Sequence, residues 1–148
     1  LPLSTVHAWD VSPEALEVAR RNAIRNGVTV HFQQADALQE SWPSLNIDVL
    51  VSNPPYITEK ERTDMERNVL DWEPELALFV PDNDPLLFYR HIARIGLDLL
   101  SPSGTLYYEI NRAYGAETVS LLQQLGYHSV ELRKDLSGND RMVKAVKP

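Results

Sequence analysis

The 148-residue chain has no cysteine. Disulfides and thiolate metal sites are therefore excluded, and a reducing compartment, the cytoplasm, is the expected location. No apolar run approaches the ~18 residues of a membrane span. The opening residues, Leu1-Pro2-Leu3-Ser4-Thr5, lack the basic start and apolar stretch of a signal peptide. Positive charge is in deficit: 14 Lys and Arg stand against 21 Asp and Glu, a formal charge of −7. That balance argues against a protein that grips nucleic-acid backbones, which requires clustered cations. Glycine is scarce too, with six in the chain and no Gly-x-Gly. The four histidines, His7, His31, His91 and His128, fall without metal-ligand spacing, and no metal site is expected. Repeats and low-complexity tracts are also missing.

What remains is ordinary globular material, 43% hydrophobic and 24% charged, of a length that suits one domain, residues 1–148, with a real core. The chain turns on Asn53-Pro54-Pro55-Tyr56. Before it runs Ile47-Asp48-Val49-Leu50-Val51, which reads as a buried parallel strand. Two prolines end that strand at once, since neither donates to a sheet ladder and each fixes its own φ. An amide, a stiff turn and an aromatic ring are left at a strand's carboxyl end, the edge where open α/β sheets bind ligands.

Around this corner the elements fall in order. Thr5 to Trp9 reads as a strand with Asp10 at its carboxyl end. Ser12 caps a helix with Pro13 at its first position, and Leu16, Ala19 and Ala23 form its apolar stripe. Asn26-Gly27 closes it. Val28 to Phe32 reads as a second strand, followed by Asp36 and Ala37. Ile57 to about Asp71 is expected to be a loose helix or a lid. Trp72 to Leu78 shows no clean period. Asp84 and Pro85 are expected to cap a long helix to about Leu100, ended by Ser101-Pro102-Ser103-Gly104. Thr105 to Ile110 reads as a strand, Tyr114 to Leu125 as a helix closed by Gly126. His128 to Arg133 and Arg141 to Lys147 read as strands close enough to pair antiparallel. The sum is a doubly wound α/β domain with an antiparallel pair at its end.

Four segments carry a resemblance: Asp10-Val11-Ser12-Pro13-Glu14-Ala15-Leu16, Asn53-Pro54-Pro55-Tyr56-Ile57, Trp72-Glu73-Pro74-Glu75-Leu76-Ala77-Leu78 and Asp135-Leu136-Ser137-Gly138-Asn139-Asp140-Arg141. In these the chain resembles the class I methyltransferases that depend on S-adenosylmethionine. More narrowly, it resembles the enzymes that methylate the glutamine amide of peptide-chain release factors. The resemblance implies a Rossmann-like, mostly parallel sheet, with S-adenosylmethionine as cofactor and release factors as protein substrates. The family's catalytic domain begins with a strand and a glycine-rich loop that this chain does not show. The chain is therefore expected to be the C-terminal part of a longer enzyme, truncated at its N-terminus, with exposed strand edges prone to self-association.

The resemblance also assigns roles. The Asn53 side-chain oxygen and the Pro54 carbonyl would accept the two hydrogens of a glutamine amide, with Asn53 also at the cofactor. Pro55 would stiffen the turn, and Tyr56 would pack on the amide's flat face. Asp10 would accept from the cofactor's ribose hydroxyls, and Asp36 from its adenine amino group, with Ala37 beside the ring. Glu73 either holds a loop near the site or belongs to a stretch that packs Trp72 and Leu76 in the core. Glu109 either faces the cofactor pocket or caps the core edge. Asp135 and Arg141 are expected to pin the last hairpin. Two other functions compete: methylation of the exocyclic amines of adenine or guanine, where Tyr56 would stack on a flipped base, and an inactive fragment.

Overall fold

Ser12 starts the first helix through its side chain: Oγ accepts the Ala15 amide at 3.1 Å, and Pro13 follows at the first helical position. The computed structural model describes residues 3–39, 42–65 and 67–148, and these divide into two compact units, Leu1–Ser41 and Trp42–Pro148.

In the first unit, β1 (His7–Asp10) and β2 (His31–Gln34) pair in parallel, with α1 (Pro13–Arg25) as the crossover between them. Leu16 is buried, and Ala19 and Ala23 half-buried, on the stripe predicted for α1. β2 begins three residues later than predicted. The Val28 amide is used by the helix end, bonding to the Ala23 carbonyl at 3.0 Å, and Gly27 takes φ +64°. Val28 therefore belongs to the cap and not to the ladder.

In the second unit, β3 (Ile47–Ser52), β6 (Leu100–Glu109), β8 (Asp140–Val146) and β7 (His128–Lys134) form one sheet in that order. β3 and β6 run parallel, and β8 pairs antiparallel with both of its neighbours. The helices α4 (Leu87–Leu99) and α5 (Gly115–Gln124) belong to this unit. Tyr89, Ala93 and Leu99 of α4, Leu106 and Tyr108 of β6, Leu122 of α5, and Val143 and Ala145 of β8 are buried in its core. The predicted hairpin of the last two strands is present, and Arg141 and Asp135 pin it: Asp135 accepts the Ser137 and Asn139 amides at 2.9 and 3.0 Å, and Arg141 Nε at 3.4 Å.

β3 is parallel as expected but not buried, with Val49 and Val51 54% and 71% exposed. Two boundaries also differ from expectation. Ser101-Pro102-Ser103-Gly104 does not separate α4 from a later strand; it lies inside β6. Ile47 pairs with Leu100 and Val49 with Thr105, so these four residues bulge from the ladder, with Ser103 at φ +64°. A bulge is the one place inside a sheet where a proline costs no hydrogen bond. Asp84 does not cap α4, whose N-cap is Leu86. Its carboxylate instead takes a two-pronged bond from Arg90 at 2.7 and 2.9 Å.

Between β3 and α4 the chain makes an excursion, whose first part, Ile57 to about Asp71, is the stretch expected to be a loose helix or a lid. β4 (Ile57–Thr58) and β5 (Phe79–Val80) pair in parallel. Between them come a 3-10 turn (Glu59–Asp64), α2 (Arg67–Trp72) and α3 (Glu75–Leu78). Arg62 ties the two ends of this excursion, pairing with Glu75 and lying over the Phe79 ring at 4.4 Å. The core reading of Trp72 and Leu76 is overturned: they are 85% and 66% exposed. Helices of six and four residues have no continuous buried face to receive them.

Candidate active site

β3 ends at Ser52, and the Asn53-Pro54-Pro55-Tyr56 corner follows at once, as the prolines require. Asn53 is exposed, Pro54 is buried, and Pro55 and Tyr56 are half-buried. Asn53, Pro54 and Tyr56 line a cleft of about 410 Å³, together with Glu73, Ala77 and Leu78. The structure thus brings the corner and Glu73 to one concavity. The amide is available to a ligand and is not consumed by the core.

Tyr56 is held at both ends. Its hydroxyl donates to Glu109 Oε1 at 3.1 Å, and its carbonyl accepts from Asn111 Nδ2 at 3.0 Å. Burial pushes the Tyr56 hydroxyl above its ordinary value, and the charge of Glu109 adds to this, while Arg141 opposes it. The hydroxyl therefore stays protonated and keeps donating. Glu109, at the end of β6, is thus a partner of the corner's ring.

Behind the corner lies a polar cluster that sequence reasoning missed. Thr58 is fully buried and Asn111 is 5% exposed. Glu61 Oε2 accepts from the Thr58 amide at 2.8 Å and from its hydroxyl at 2.6 Å. Asn111 Nδ2 also donates to both Glu61 oxygens, at 3.2 and 3.1 Å. The signal was present in part, since Thr58-x-x-Glu61 has the spacing of a capping box. Burial alone would raise the Glu61 carboxyl, but the bonds from Thr58 and Asn111 outweigh it, and its pKa lies below the usual glutamate value. A carboxyl held down this way stabilises fully above the ordinary glutamate range, and that stability is lost as pH falls through its folded value. Titration from about pH 6 downward through the carboxylate range should therefore lower the protection of the Thr58 amide, relative to its intrinsic exchange rate, before that of the β6–β8 ladder falls. Unchanged Thr58 protection until the whole sheet unfolds would contradict this.

In the first unit, Asp10 and Asp36 sit at the carboxyl ends of adjacent parallel strands, and both are exposed. Asp10 Oδ1 accepts the Ser12 amide at 2.8 Å, and Asp36 Oδ1 the Leu38 amide at 2.8 Å. Each carboxylate is oriented by its own turn through one oxygen. Buried Ala35 and half-buried Ala37 flank Asp36. Two exposed acceptors at adjacent strand ends, with alanines on either side of the second, are compatible in kind with the hydroxyls and amine of a nucleoside. This donor set fits the adenosine part of S-adenosylmethionine. Among the described residues, no group of three or more His, Asp or Glu side chains is placed to hold a metal, and no helix is long and apolar enough to cross a membrane.

Parallel strands linked by crossover helices, with an antiparallel strand inserted at one side, define a Rossmann-like methyltransferase fold. A methyltransferase from Pyrococcus furiosus shares it, with a TM-score of 0.69 at 20% identity over 97% of this chain and 62% of that one. Residues 1–71 match the methyltransferase small domain family. The release factor glutamine methyltransferase of Bacteroides thetaiotaomicron is 50% identical over 98% of this chain and 52% of its own length. That of Flavobacterium psychrophilum is 46% identical over 97% of this chain and 50% of its own length. Over nearly all of its length the chain is similar to these release factor glutamine methyltransferases, and it spans about half the length of the curated relatives it matches.

Proposed function

We propose that residues 1–148 serve as the catalytic domain of a cytoplasmic enzyme that moves a methyl group from S-adenosylmethionine to the side-chain amide nitrogen of a glutamine in peptide-chain release factors. The observation that carries this reading is the exposed Asn53 amide beside Pro54 and Tyr56 in a cleft at the carboxyl end of β3. The names of the curated relatives support the choice of substrate.

An amide nitrogen is a weak nucleophile because its lone pair is shared with the carbonyl. The residues around it must orient it and stabilise the positive charge that develops on it. In this reading Asn53 Oδ1 and the Pro54 carbonyl each accept one amide hydrogen, which fixes the plane and direction of the NH2 group. The two prolines keep those acceptors rigid. Tyr56, held by Glu109, presents its ring to the flat face of the amide. Asp10 and Asp36 would hold the ribose and adenine of S-adenosylmethionine, which supplies the electrophilic methyl group when bound. The methyl's bond to sulfur would break, its electron pair staying on sulfur, as the new N–C bond forms, and one amide proton would leave to water.

The test sets a glutamine peptide from a release-factor loop beside DNA and RNA oligonucleotides in a methyl-transfer assay with the full-length protein. Methyl incorporation into the peptide alone is expected. Incorporation into an adenine or guanine amine would favour the flipped-base reading, and incorporation into none of them would favour an inactive chain.

A further inference from the structure

Resting on that reading, we propose that Asn111 and Glu61 are positioning residues for the methyl acceptor, acting through the backbone of the Asn-Pro-Pro-Tyr corner. Asn111 has little freedom of its own. Its amide donates to the Tyr89 hydroxyl at 3.1 Å, its Oδ1 accepts the Ala113 amide at 2.9 Å, and it is 5% exposed. Its remaining group, Nδ2, reaches the Tyr56 carbonyl at 3.0 Å and the Glu61 carboxylate at 3.1 and 3.2 Å. Glu61 in turn grips Thr58 by both amide and hydroxyl. The clamp therefore takes hold of the chain at Tyr56 and Thr58, on either side of Ile57.

That placement gives it leverage over the acceptors. From Pro54 to Tyr56 the backbone has little freedom, because Pro54 and Pro55 each fix φ and the residue before a proline is held extended. Fixing the Tyr56 carbonyl at one end, with β3 at the other, fixes the direction of the Pro54 carbonyl and of the Asn53 side chain between them. Glu109 completes the hold by bonding the Tyr56 hydroxyl at 3.1 Å. A site that works by orientation must be held to about 0.5 Å and 10–20°, and a 1 Å misplacement can cost ~10²-fold in rate. A clamp that holds the corner's own last residue, and Thr58 two residues beyond it, is suited to that tolerance.

The test compares the full-length wild type with Asn111→Ala, Glu61→Ala and Glu61→Gln, measuring kcat and KM on a glutamine peptide, cofactor Kd and Tm. For the two alanine variants kcat should fall ~10–100-fold, with cofactor Kd within about twofold of wild type, and Glu61→Gln, which keeps an acceptor for the Thr58 amide, should recover most of the rate. Unchanged kcat, or kcat and cofactor affinity falling together with Tm and without rescue, would overturn the clamp and leave only a scaffold. A second readout is independent of activity: the flip rate of the Tyr56 ring by NMR, expected to rise in Asn111→Ala and in Glu109→Ala. An unchanged flip rate in both would overturn the inference by itself. Wild type that transfers no methyl to glutamine while the flip rates rise would instead overturn the proposed function and leave the clamp standing.

Discussion

Replacing Asn53 by alanine is expected to lower kcat on a glutamine peptide by ~10²–10³-fold, with the sheet and its melting temperature almost unchanged. The size follows from what the side chain does. In the proposed reading it supplies one of two acceptors that hold the amide plane, and removing a preorganised polar group aimed at developing charge costs about that much in other transfer sites. The absence of a stability effect follows from position. Asn53 is exposed at the mouth of the cleft, and an exposed side chain away from caps and networks changes stability by at most ~0.5 kcal/mol. Peptide KM should rise less than kcat falls, because the alignment matters most as the new bond forms. Asn53→Asp is a useful companion, since it keeps an oxygen acceptor but adds a charge and removes the NH2. Partial activity from aspartate and almost none from alanine would identify the oxygen as the working atom.

The second large effect concerns Asp10. Asp10→Asn is expected to weaken S-adenosylmethionine binding ~10–100-fold, which corresponds to the ~1.5–3 kcal/mol of a hydrogen bond to a charged group. Asparagine is the clean choice. It can keep an oxygen facing the Ser12 amide, now bonded to Asp10 Oδ1 at 2.8 Å, so the turn into α1 survives while the charge and the second acceptor are lost. Calorimetry on the full-length protein reads the affinity directly. An affinity equal to wild type would reduce Asp10 to a turn former at the start of α1.

How much of this could be read from the chain depends on the distance over which each feature is decided. The corner was legible because its cause is local: an apolar run, then two residues that cannot continue a ladder. The first helix was legible for the same reason, with Ser12, Pro13 and Asn26-Gly27 marking its ends. Where one stretch serves two purposes, its local pattern points to the wrong one. Val28 looks like the start of a strand but is spent on the helix cap. Ser101 to Gly104 has the composition of a loop and sits as a bulge within β6. Asp84 has the look of a cap and is the partner of Arg90. Trp72 and Leu76 carry apolar side chains in helices too short for a period to assign them a face. The clamp was the least legible part. Asn111 meets Tyr56 and Glu61 across 55 and 50 residues of chain, and no spacing rule spans such a gap.

The central claim is that two oxygens at a proline corner hold a planar NH2 group for methylation. The most direct measurement is a structure of the full-length protein with S-adenosylhomocysteine and a release-factor glutamine peptide. The account requires the glutamine nitrogen within about 2.7–3.2 Å of both Asn53 Oδ1 and the Pro54 carbonyl oxygen. A glutamine amide seated elsewhere in the cleft, with the Asn53 side chain turned away from it, would contradict the account.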